Sequence, residues 1–223
     1  TKLRQLKNTF PHFFPRSTEK DPIKAFFPFV GIQHESVLED NGQPYNESIF
    51  DYLRRHTRGR PRELDFIGHE IQMLAPDNRT PEKIRELVRD LSYRFFGYAK
   101  NEVVPYWDPR LDALLDKIHS NFIPRSKAEE IADKSFDHGV GIEIWRALYA
   151  NGLCGAVVSK YPSGMVQRFS NHDGVAELSE QDFRTARIWV LHPCVNIATR
   201  PRRKRYQPNP RNVAGHGYPF AME

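Results

Sequence analysis

Residues 54 to 68 read RRHTRGRPRELDFIG, and the order of charge, glycine and proline in them decides how the first half of the chain folds. Pro61 has the fixed φ and the missing N–H donor that suit a first helical turn, and Leu64, Ile67 and Ile71 then recur at three- and four-residue spacing. The spacing predicts a helix from Pro61 to about Met73. Arg58, Arg60 and Arg62 crowd its N-terminus, where unpaired N–H groups already make a weakly positive end. Cations are misplaced there on dipole grounds, so an anion is expected to meet them.

Upstream, Asn46 is read as the cap of a helix from Glu47 to about His56, with Ile49, Phe50 and Leu53 inward. Residues 1–45 read as irregular because Pro11, Pro15, Pro22, Pro28 and Pro44 break any long period. They are expected to be a strap or the end of a preceding domain. Downstream, Thr80, Pro81 and Glu82 form a strong helix start, and Ile84, Leu87, Val88, Leu91, Phe95 and Tyr98 follow at helical spacing. Arg85, Glu86, Arg89 and Asp90 fall on the outer face.

Asp108 and Pro109 open another helix carrying Leu111, Leu114, Leu115 and Ile118, and Ser126 with Glu129 reads as a capping box. The helix with Ile142, Trp145, Leu148 and Tyr149 ends at Gly152, where Leu153 is placed to touch Leu148. The period then changes. Ala156 to Lys160 and Met165 to Phe169 form a hairpin signal around Pro162, Ser163 and Gly164, and Arg187 to His192 reads as a third strand. The expected fold is therefore mainly α with a small β-hairpin. A helical bundle over residues 46–101 precedes a winged-helix domain over residues 102–198, and a basic, Pro-rich tail covers residues 199–223.

The totals agree with two domains: 223 residues, 39% hydrophobic and 27% charged, with no window near the roughly 18 apolar residues of a membrane span. No membrane partner is expected. Cys154 and Cys194 have neither metal spacing nor a disulfide framework, which points to a reducing cytoplasm. The formal charge of +5 is concentrated: Arg200, Arg202, Arg203, Lys204, Arg205 and Arg211 account for six of the 33 basic residues, and the remaining 27 face 28 acidic ones. With Thr1 first and no apolar signal segment after it, the chain is expected to be a piece of something longer.

Several chemistries lack their residues. There is no G-x-x-x-x-G-K-[ST] phosphate loop and no G-x-S-x-G, and the nine histidines have no two-His helical spacing suited to zinc. No catalytic residue and no metal site is expected, and the chain alone should not hydrolyse nucleotide. His192, before Pro193 at a strand end, reads as a half-buried histidine with a backbone partner. The step Gly59-Arg60-Pro61 has two accounts. It is either a left-handed turn between two helices with solvated arginines, or a turn that approaches a nucleotide, with an arginine fork on phosphate. Local physics leaves both open.

The stretch YLRRHTRGRPRELDFIGHEI, residues 52–71, resembles the start of the helical lid in STAND-type P-loop ATPases, relatives of the AAA+ proteins. The helix leading into EVVPY, then ALYANGLCG, VQRF and WVLHPCVN, resemble the winged-helix region that follows the lid in bacterial members. The resemblance implies that Gly59, Arg60, Pro61 and Arg62 meet ATP or ADP, with Gly59 and Pro61 facing the adenosine and Arg62 acting as a sensor near the phosphates. Magnesium and the nucleotide would be held mainly by a P-loop core, supplied in cis or in trans. It further implies a conformational switch that controls self-association into a homo-oligomer. The rival expectation is a winged-helix DNA-binding protein in which Arg200, Arg202, Arg203, Lys204 and Arg205 contact phosphates. Against it, the helix before the wing offers Arg146 as its one basic residue. A purely structural subunit is the third possibility.

Overall fold

The computed structural model describes residues 34–38, 44–102, 108–136, 139–159, 164–170, 179–209 and 212–221. It opens on a hairpin, β1 (His34–Leu38) antiparallel to β2 (Pro44–Ser48), with His34 opposite Ser48 and Leu38 opposite Pro44. This corrects the reading of residues 1–45 as irregular throughout, and residues 1–33 lie outside the described residues. It also corrects the cap at Asn46, which pairs with Ser36 inside β2 so that the helix begins at Ile49.

Three helices follow: α1 (Ile49–Arg55), α2 (Pro61–Met73) and α3 (Pro81–Glu102). The bounds of α2 match the expectation. At the start of α3 the Thr80 hydroxyl accepts the Lys83 N–H at 3.4 Å. Ile84, Val88, Leu91, Phe95 and Ala99 recur every three to four residues along α3 and are buried as one stripe. On α2 the matching stripe is Ile67 and Ile71, with Leu64 packed at its edge, and Leu53 of α1 completes the contact.

The second half holds α4 (Pro109–Asp116), β3 (Phe122–Pro124), α5 (Arg125–Asp133), α6 (Gly141–Ala150), β4 (Cys154–Ser159) and β5 (Met165–Phe169). After these come α7 (Glu180–Thr185), β6 (Ile188–Leu191), α8 (Pro193–Thr199) and β7 (Pro219–Phe220). The Asp108 carboxylate caps α4 by accepting the Arg110 N–H at 2.8 Å. The expected capping box at Ser126 is not formed. Helix α5 starts two residues earlier with Pro124 at the N-cap position, and Glu129 instead takes the Arg125 guanidinium at 2.8 Å. The end of α6 is as expected: Gly152 has φ 69°, the Leu153 N–H reaches the Leu148 carbonyl and the Gly152 N–H the Tyr149 carbonyl, each at 2.9 Å.

The described residues are mostly helical, and the small hairpin proves to be part of a curled antiparallel sheet of five strands, in the order β3–β6–β4–β5–β7. Strands β3 and β7, three and two residues long, are too short to carry a period of their own in sequence. Trp145 of α6 stacks on Trp189 of β6 at 5.9 Å and donates its indole N–H to the Ala128 carbonyl at 2.8 Å, which ties α5, α6 and the sheet together. One apolar core runs from Tyr52 and Leu53 through α3 to Cys194, Val195 and Ala198 of α8, so packing is continuous across the boundary expected near residue 101. No helix among the described residues is long and apolar enough to cross a membrane.

Residues 199–209 and 212–221 of the basic, Pro-rich tail are anchored to the fold. Arg203 is buried, Gln167 donates to the Val213 carbonyl at 2.7 Å, Asn212 donates to the Ala221 carbonyl at 3.2 Å, and β7 pairs with the edge of β5. Polar side chains hold this segment down, a kind of anchoring that hydrophobic periodicity does not register. Arg211 lies outside the described residues.

Burial pushes both thiols up, Cys194 to about 12 and Cys154 well above its ordinary value. Since the thiolate is the reactive form, neither cysteine should react with iodoacetamide in the native protein at pH 8, and both should react once urea unfolds it. Mass spectrometry of the alkylated chain reads the outcome.

Candidate functional site: the arginine elbow

The link between α1 and α2 is an elbow built around a left-handed glycine. Gly59 has φ 70°, a conformation costly for other residues, and Arg60 is extended as the N-cap of α2 with Pro61 at the first helical position. This geometry turns the chain sharply and delivers Arg58, Arg60 and Arg62 to one place.

The anion that these cations require comes from the protein itself. Glu102, the last residue of α3, has one oxygen 3.0 Å from Arg58 Nη1, and its other oxygen meets Arg60 Nη1 and lies 2.9 Å from Arg62 Nη2. Glu63, in the first turn of α2, reaches back to Arg58 with Oε1 at 2.6 Å from Nη2 and 3.0 Å from Nε, while Oε2 accepts the Arg58 backbone N–H at 2.7 Å. Arginines at a helix N-terminus and a glutamate at a helix C-terminus are each unfavourable for their own dipole. Because α2 and α3 form a helical hairpin, those two ends meet and the misplaced charges pair.

The three arginines differ in exposure, and that sorts their roles. The Arg58 and Glu63 side chains are 3% and 4% exposed, whereas Arg62 is 75% exposed. Burial pulls the Arg58 guanidinium down, but the Glu63 charge and the hydrogen bonds to Glu63 and Glu102 overcome it and the net shift is upward. Burial raises the Glu102 carboxyl, and the bonds from Arg58 and Arg60 reverse this to hold it below the usual range. Arg58 is a fixed anchor. Arg62, an exposed ion pair worth about 0–1 kcal/mol, can be drawn away.

The elbow is also tied to the second half of the chain. The His192 Nδ1 accepts the Cys194 N–H at 3.2 Å, which leaves the proton on Nε2 to be donated to the Thr57 carbonyl at 3.1 Å. His192 is fully buried and has the backbone partner expected for it. Gly152, in the turn after α6, packs beside the Arg58 side chain. Next to the elbow, α2 and α3 leave an open groove of about 610 Å³ lined by Arg58, Arg62, Phe66, His69, Tyr98 and Glu102.

Of the expected nucleotide-facing residues, Arg60 and Arg62 are brought together on Glu102, and Gly59 supplies the turn between them and Arg58. Arg58, read in the sequence beside Arg60 and Arg62 at this helix end, joins them on Glu102, and Glu63 and Glu102 are the additions. Glu63 had a legible signal, as an acid at the third helical position able to reach back over the cap. Glu102 had none, because its partners lie some 40 residues upstream in the chain.

The alternative phosphate contacts are spent internally for the most part. Arg202 pairs with Asp112 at 3.4 Å and Asp116 at 3.1 Å, Arg203 donates to the Asn196 carbonyl at 2.8 Å, and Arg200 and Arg203 lie over the Tyr206 ring at 5.3 and 4.1 Å. Lys204 and Arg205 are exposed. On α6, Arg146 pairs with Glu180 at 3.2 Å and sits 4.0 Å over the Phe183 ring. Among the described residues no group of His, Cys, Asp and Glu is arranged to hold a metal ion. Comparison of the chain with protein-family models, with curated proteins and with solved structures yields no match.

Arg58→Ala leaves Glu63 buried without its partner and should destabilise the fold by about 3–5 kcal/mol, whereas Arg62→Ala should cost under about 1 kcal/mol. Urea denaturation of both variants separates the anchor from the movable arginine. pH adds a second check. Burial first, and then the Arg55 charge, hold the His56 imidazole well below its ordinary 6.5, against the opposing bond to Tyr52. Its folded pKa is below the unfolded one, so its contribution is complete above about pH 6.5 and is lost as pH falls further. Glu102 has the same sign and adds a loss below about pH 4.5. Stability should therefore decline from pH 7 to 5.5, with His56→Gln removing that slope, and decline again toward pH 4.

Proposed function

We propose that this chain is the regulatory lid and winged-helix portion of a STAND-type ATPase. In this reading it closes over an adenine nucleotide bound by a separate P-loop core and controls a conformational and oligomerisation switch. The observation that carries the reading is the elbow: three arginines at one helix N-terminus share Glu102, and Arg62 is the most exposed of them. A nucleotide phosphate is a stronger bidentate partner for a guanidinium than one oxygen of a shared carboxylate. Phosphate and Glu102 would then compete for Arg62, giving the two sets of lid contacts that a ligand-driven switch needs.

The topology supports the second half of the proposal. The succession α4, β3, α5, α6, β4, β5 and β6, with β6 lying between β3 and β4, is compatible with a winged helix in which β5 and α7 would form the wing. The internal commitments of Arg146, Arg202 and Arg203 favour a packing role for this domain over DNA readout. The nucleotide is ATP or ADP with magnesium, held mainly by the core, and the partners are that core, in cis or in trans, and further copies of the chain.

The test uses a protein that includes the core. Arg62→Ala should weaken ADP binding by about 10–100-fold, the range for losing a hydrogen bond to a charged group. Glu102→Gln, which removes the competitor, should tighten it. Unchanged affinity in both variants, measured by calorimetric titration, would count against the sensor role.

A further inference from the structure

Beside the elbow, the groove between α2 and α3 carries groups that the pairing on Glu102 does not use. Its volume of about 610 Å³ falls within the about 300–1,000 Å³ of small-molecule pockets. Arg62, Asp65, Phe66 and His69 line it from α2, and the helical spacing of the last three from Arg62 puts all four on one face. Phe95, Tyr98 and Asn101 line it from α3 at three-residue intervals. The start of α2 meets the end of α3 at Glu102, so that end of the groove is charged. The Phe66 and Phe95 rings, edge to face at 6.4 Å, mark its aromatic middle.

Along α2 the groups follow in order: a guanidinium at Arg62, a carboxylate at Asp65, then aromatic rings contributed by both helices at Phe66 and Tyr98, and His69 at the far end. At 1.5 Å per residue, Arg62 and His69 stand about 10 Å apart along the helix axis. A nucleotide presents matching groups in the same order: a phosphate for a guanidinium, ribose hydroxyls for a carboxylate acceptor, and a base for an aromatic surface. A carboxylate level with Arg62 would repel the phosphate, whereas one turn further along it accepts from hydroxyls. Tyr98 is 50% exposed, and among the described residues the side chains of Asp65, His69, Tyr98 and Asn101 have no hydrogen-bond or ion-pair partner within the fold. Arg62 keeps one partner, the Glu102 oxygen at 2.9 Å, which a phosphate must displace.

We infer that this groove is the nucleotide's seat on the chain: the base lies against Tyr98 and Phe66, the ribose hydroxyls donate to Asp65, and the phosphate reaches Arg62. The inference rests on the elbow reading for its phosphate contact and goes beyond it for the base, which the resemblance to STAND ATPases places at Gly59 and Pro61. The chain then recognises base and sugar by itself, and the separate core holds the terminal phosphates and magnesium.

The test is calorimetric titration of the full chain with ADP and, separately, with adenosine. Both should bind saturably, ADP the more tightly. Tyr98→Ala, which alters a half-exposed side chain, should weaken both at least about fivefold, the lower end for a base stacked on an aromatic ring. Arg62→Ala should weaken ADP and leave adenosine unchanged. If Tyr98→Ala loses its cooperative thermal transition, Tyr98→Leu serves in its place with the same expected loss. No saturable binding of either probe, or binding of both that survives the Tyr98 substitution, would overturn the inference. In the second case a loss of ADP affinity in Arg62→Ala would leave the elbow reading standing without the groove. Conversely, binding of both probes that depends on Tyr98, with ADP indifferent to Arg62→Ala, supports the base in the groove and counts against the elbow reading.

Discussion

The structure depends on one constraint: a guanidinium buried at Arg58 must keep its anions. A charged group removed from water loses several kcal/mol of solvation, and the elbow holds only because Glu63 and Glu102 return that energy through short, charge-assisted bonds. Those two acids come from different helices. The requirement therefore fixes the start of α2 against the end of α3, and with it the register of the helical hairpin whose apolar stripes form the first half of the core.

The same residues join the two halves of the molecule. Thr57, one position before Arg58, receives the His192 N–H, and Gly152 beside Arg58 ends α6 in a turn that needs a left-handed residue. The elbow thus touches the helical bundle, the helix before the sheet and the strand that enters α8. A change in its charge state is felt at all three. Arg62 sits at the exposed periphery of this cluster, so a change in its contacts leaves the buried centre in place.

What was legible in the sequence follows from how local each signal is. Proline at a first helical turn, a glycine at a helix end and a stripe at three- and four-residue spacing are properties of neighbouring residues, and α2, the start of α3 and the end of α6 were read from them. The pairing of β1 with β2 is hard to read in the sequence because the surrounding prolines dominate that segment. Strands β3 and β7 were illegible for a different reason. They exist only as partners of β6 and β5, and two or three residues have no period. The candidate site was half legible: the excess of positive charge at the α2 N-terminus announced a missing anion, but its identity as Glu102 depends on a tertiary contact. The basic tail differs in the other direction, since Arg202 and Arg203, expected in the rival reading to contact phosphates, are held by Asp112, Asp116 and Asn196 in the fold.

The most direct measurement of the central claim is a double-mutant cycle on Arg58→Met and Glu63→Leu, with unfolding free energies from urea titrations at pH 7. A buried pair that anchors the elbow predicts a coupling energy of at least about 2 kcal/mol, with the double variant more stable than either single one. A coupling near zero, with the two single losses simply adding, would contradict the account.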